Sequence, residues 1–126
     1  MLDTLIFACI ILVLDIPWIY YVMSNQYQKV FAEINIPLST DLIAASMAYI
    51  LMISSYPLFI SKQPTSNRVR TAGLLGFLIY GIYAFTLKAI LKQYPFELAI
   101  GETIWGTVLF SISTLLTQIV IKRFNI

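Results

Sequence analysis

The chain has 126 residues, 60% of them apolar and 11% charged, with a net charge of +2, whereas ordinary soluble domains carry about 25% charged residues. A soluble fold of this length needs a far larger polar shell, so the composition specifies a membrane protein of one domain. With no histidine and a single cysteine, Cys9, an internal disulfide, Cys/His metal sites and a serine, histidine, acid triad are excluded, and no cofactor or metal is expected.

The first apolar run, Leu2 to Met23, opens with Asp3 and Thr4, either of which can cap a helix. It is long enough to span, since roughly 20 helical residues cross a hydrocarbon core about 30 Å thick. No basic n-region precedes it and no small-x-small cleavage site follows, so a cleaved leader is not expected. Cys9 reads as a small apolar residue, buried or facing lipid. Asp15 lies deep in the run, and Pro17 behind it frees a backbone carbonyl and is expected to kink the helix. Trp18, Tyr20 and Tyr21 then suggest the membrane interface.

Ser24 to Ser39 reads as the longest loop, with room for a short interfacial helix through Tyr27 to Ile34, where Val30, Phe31 and Ile34 are three or four apart. Ser39, Thr40 and Asp41 cap a second span from Leu42 to Ile60, which Pro57 is expected to bend or end. Ser61 to Asn67 is a turn.

The third span runs from Val69 to about Leu91. Ala72 and Gly76 form a small-xxx-small pair, and Gly73 and Gly81 add bare backbone, so a neighbouring helix can approach closely. Gly76, Tyr80 and Tyr83 share one face. The plain reading of that face is a packing seam whose tyrosine hydroxyls bond to another helix. After Tyr94 and Pro95 the fourth span runs from about Glu97 to Ile121, with Thr103, Thr107, Ser111, Thr114 and Gln118 forming a polar stripe expected to bond to other helices.

The expectation is therefore an all-α bundle of four transmembrane helices, at approximately 3–23, 41–60, 69–91 and 97–121. Lys62, Arg68, Arg70, Lys122 and Arg123 fall on the side of the termini, against Lys29, Lys88 and Lys92 on the other, and the positive-inside rule places both termini in the cytoplasm. Basic residues at span ends, without a basic face, give nucleic-acid binding no support. The expected partners are the lipid bilayer and either other membrane-protein subunits or further copies of the chain.

Two acids share one depth. By a rise of roughly 1.5 Å per residue, Asp15 stands roughly 12 Å below the outer boundary and Glu102 roughly 9 Å below it. Lys88 has a stem long enough to bend toward them or to snorkel outward, and Tyr83 and Trp105 should flank the layer. Intramembrane acids are costly and seek partners. They can form a structural knot that fixes helix register, or a proton or cation site reached from the outer face.

LDIPW in the first span, GLLGFLIYGIYAFT in the third and ETIWGTVL in the fourth resemble the integral-membrane family known as domain of unknown function 2177. The resemblance implies four membrane helices without an established activity, and carries over Asp15, Trp18, Tyr80, Tyr83, Thr86, Glu102, Trp105 and Gly106. It also implies an acid where this chain has Ala84 and an asparagine where it has Leu87, so a three-carboxylate site is incomplete here. The leading expectation is a non-enzymatic structural or accessory membrane protein. The alternatives are a small proton or cation conductor, and an accessory protein or enzyme of lipid modification. The enzyme reading is the weakest, because few groups remain for acid-base or nucleophilic work.

Overall fold

A computed structural model describes residues 1–35 and 41–125, and these form four long helices and no strand. We number them α1 (Leu2–Glu33), α2 (Leu42–Ile60), α3 (Thr65–Ile90) and α4 (Phe96–Phe124). Each is long and apolar enough to cross a membrane. The expected loop residues Pro37, Ser39 and Thr40 lie outside the described residues.

The first helix runs further than its hydropathy suggests. Pro17 lacks the N–H that would bond back into the preceding turn, yet the helix continues through it; a wide π turn follows at Ile19–Met23, after which Ser24–Glu33 is α-helical again. The loop expected from Ser24 is thus helix as far as Glu33, and it ends at Asn35, whose left-handed φ of 58° suits an asparagine. Pro57 does not terminate α2. It sits in a second π turn, Tyr56–Ile60, closed by the Ser61 N–H donating to the Tyr56 carbonyl at 2.8 Å. Asp41 caps the start of α2 by accepting from the N–H groups of Ile43 and Ala44.

Helix α4 lies at the centre, with its most extensive interface against α3 and a second against α1; α2 packs on α1 and meets α3 through its terminal π turn. Because lipid tails are as apolar as the side chains, burial in lipid supplies little drive for helices to associate, and close backbone packing and interhelical hydrogen bonds must do so. The α3–α4 crossing meets the first need. A Cβ on Gly76 would collide with the Gly106 carbonyl, and one on Gly106 would collide with the Tyr80 ring. Ala72 and Gly73 are buried in the same seam, where a Cβ on Gly73 would lie 2.7 Å from the Ser111 Oγ, and Gly81 faces Thr103 at ordinary contact distance.

Two apolar clusters bracket the middle of the bundle. One joins Phe7, Ile11, Tyr56, Ile60, Ala72, Leu109 and Phe110, with Phe7 stacked on Tyr56 at 4.8 Å. The other joins Val30, Ala84, Tyr94 and Ala99. Along α1, α3 and α4 alike, the residues between these clusters include the polar ones: Asp15, Tyr80 and Glu102.

Candidate functional site

Asp15 is 1% exposed and Glu102 4% exposed. In a medium that offers no water, each carboxylate must take its hydrogen bonds from protein. Asp15 takes one from every other helix. Its Oδ2 accepts from the Tyr49 hydroxyl of α2 at 2.7 Å, and its Oδ1 from the Tyr80 hydroxyl of α3 at 3.3 Å and the Trp105 Nε1 of α4 at 2.9 Å. Glu102 accepts from the Tyr27 hydroxyl of α1 at 2.7 Å and from the Tyr94 hydroxyl in the α3–α4 connection. Tyr27 is in turn hydrogen bonded to the Tyr83 hydroxyl of α3. Burial, and then the bond to Glu102, push the Tyr94 phenol above its ordinary pKa, which keeps it a donor.

The donors are all neutral. Among the described residues no lysine or arginine pairs with either acid, and the ion pair that occurs joins the Met1 amino group to Asp3 at 3.0 Å. Lys88, expected as a possible countercharge, turns away. Its Nζ donates to the Lys92 carbonyl at 3.1 Å, in the turn that follows α3. Thr86 does not join the layer either; it is exposed on α3, one helical face away from buried Ala84. Trp18, expected at the interface, stacks on Trp105, centroids 4.4 Å apart and planes within 7°, while Tyr20 and Tyr21 are exposed.

The polar stripe of α4 behaves differently from the expectation. Thr103 and Thr107 donate to carbonyls of their own helix, and Gln118 alone of the five reaches another element, donating to the Thr65 carbonyl at 3.0 Å. A hydroxyl that turns to the carbonyl four residues back is satisfied locally, as at Thr103 and Thr107, whereas the buried Thr114 hydroxyl has no partner among the described residues. Cys9 is exposed on α1.

Tyr27, Tyr49 and Tyr94 complete the layer, and sequence reasoning did not single them out for it. Tyr27 and Tyr49 line a cavity of about 530 Å³, open along one side between α1, α2 and α3, together with Asp15, Trp18, Tyr80, Tyr83 and Glu102. A smaller cavity of about 280 Å³ lies on the far side of Glu102, with Gln26, Pro95 and Glu97 in its wall.

A helical bundle that holds buried ionisable groups on interhelical donors, beneath an outer surface of aliphatic and aromatic side chains, is a polytopic integral membrane protein housed in a lipid bilayer. The chain belongs to the DUF2177 family, described as a predicted membrane protein, whose model matches residues 1–119. No curated protein and no solved structure matches it.

Proposed function

We propose that the protein is a non-enzymatic structural or accessory component of its membrane, in which the Asp15 and Glu102 layer serves as the clasp that fixes helix register. The observation that carries this reading is the set of donors on Asp15, one from each of the three other helices. A group so bound penalises any rotation or sliding of a helix, since a lost partner leaves a buried polar group unpaired at a cost of about 1–3 kcal/mol. Where helix association lacks a hydrophobic drive, such clasps decide which arrangement of helices is populated.

On this reading both termini lie in the cytoplasm, supported by five basic residues on their side against three on the other. As an accessory component the bundle works beside other membrane-protein subunits or a second copy of itself, and crosslinking in native membranes followed by mass analysis identifies which.

The test of the clasp uses Asp15→Asn and Glu102→Gln in purified protein. Both should lower the melting temperature in detergent, because an amide presents its own N–H groups to donors and has one acceptor oxygen instead of two. Liposomes containing the wild type should show no proton or cation flux above protein-free liposomes. Unchanged melting together with flux that the variants abolish would replace the clasp by a conduction site.

A further inference from the structure

We infer that the cavity between α1, α2 and α3 binds a compact lipophilic organic cation, entering sideways from the bilayer with Glu102 as its principal counter-ion. This goes beyond the clasp and rests on different observations: the shape of the cavity, its charge and its walls.

The volume of about 530 Å³ falls within the roughly 300–1,000 Å³ of sites for drug-sized molecules. It is too small for a two-chain phospholipid but suits a single ammonium or phosphonium with an apolar body. The charge selects the sign. Among the described residues Asp15 and Glu102 both line the cavity and no lysine or arginine does, so an anion has no partner there and a cation has two. The walls add to this, because Trp18, Tyr49, Tyr80 and Tyr83 offer aromatic faces, which attract cations in a desolvated setting.

The two acids are not equally available. An ionised carboxylate has about four acceptor positions. Asp15 has three of them filled by protein donors, whereas Glu102 has two filled and keeps the remainder for a guest. Glu102 also borders the smaller cavity beside Glu97, on the side of the α3–α4 connection. Entry is lateral because α2 meets α3 through the π turn at its far end, while Ala45 and Ala48 hold the gap open nearer its start.

The experiment titrates purified full-length protein with tetraphenylphosphonium and, in parallel, with tetraphenylborate, which has nearly the same shape and the opposite charge. Trp18 lines the cavity and Trp105 stacks on it, so the two tryptophans of the chain report occupancy by fluorescence. Tetraphenylphosphonium should quench saturably and tetraphenylborate should not. Glu102→Gln should weaken the cation by at least about tenfold. Ala48→Phe, which occupies the cavity while leaving both acids and their donors in the chain, should abolish binding. Equal responses to the two ions, or cation binding unaffected by both substitutions, would overturn the proposal. Displacement of the cation by phosphatidylethanolamine added to the micelles would assign the cavity to a lipid headgroup and overturn a free cation as the occupant. The clasp is read from the melting of Asp15→Asn and stands or falls separately from any of these binding results.

Discussion

The indole of Trp105 donates to Asp15 Oδ1 at 2.9 Å, joining the central helix to the first across 90 positions of sequence. The same oxygen accepts from Tyr80 at 3.3 Å, and Tyr49 holds the other oxygen at 2.7 Å. The three bonds differ in length, and so should their contributions. Trp105→Phe and Tyr49→Phe should each destabilise by about 1–3 kcal/mol, and Tyr80→Phe by less. Combining Tyr49→Phe with Asp15→Asn should cost clearly less than the sum, because both remove one bond. Additive losses in thermal melts would show that Tyr49 acts through packing alone.

Much of this layer can be read from the residue types, and the reason is energetic. A carboxylate within an apolar run is so costly that Asp15 and Glu102 draw attention on their own, and helical rise places them at one depth. The four spans are equally plain, because each run is long and apolar enough to cross a membrane. The donors are harder. Tyr27 follows Ser24, Asn25 and Gln26, a polar stretch that mimics a loop, and it reaches Glu102 because the π turn at Ile19–Met23 carries the helix on and changes its facing. A π turn alters the angular register of everything after it, and proline spacing alone does not specify one. Lys88 was ambiguous for a different reason: a flexible stem can satisfy its ammonium in several places, and the nearby Lys92 carbonyl is reached without desolvating the charge.

Lys88 and Thr86 therefore provide a negative control. Lys88→Gln and Thr86→Val should change the melting temperature by no more than substitutions on an exposed surface do, within about 0.5 kcal/mol. A loss comparable to that of Asp15→Asn would place the Lys88 ammonium back in the acidic layer.

Tyr94 links the α3–α4 connection to Glu102, and its raised pKa makes the link pH-dependent. The folded state holds the phenolic proton more tightly than the unfolded chain, so this stabilisation is complete below the ordinary phenol value of about 10 and is lost as pH rises through the folded value. Melting temperatures measured from about pH 8 to about pH 11 should fall for the wild type, and the fall should be shallower in Tyr94→Phe. Identical slopes in the two proteins would remove Tyr94 from the alkaline transition.

Four glycines of α3 and α4, Gly76, Gly81, Gly101 and Gly106, should separate into three grades when each is changed to alanine. Gly76 and Gly106 stand where a methyl group would meet backbone and the Tyr80 ring, so either substitution must force the helices apart, at a cost of about 1–3 kcal/mol or more. Gly106→Ala carries an added penalty, since shifting Tyr80 also disturbs its bond to Asp15. At Gly81 the new methyl would contact Thr103 at 3.4 Å, ordinary packing distance, and the change should be near neutral. At Gly101 it would meet nothing within 4 Å, leaving the helix-propensity gain of roughly 0.5–1 kcal/mol uncontested. Thermal melts of the four variants in one detergent should therefore rank Gly101→Ala highest and Gly106→Ala lowest. Because α4 carries both extremes, a general intolerance of that helix to substitution cannot produce the ranking; equal losses at Gly101 and Gly106 would mean that the close crossing with α3 does not set the stability of the bundle.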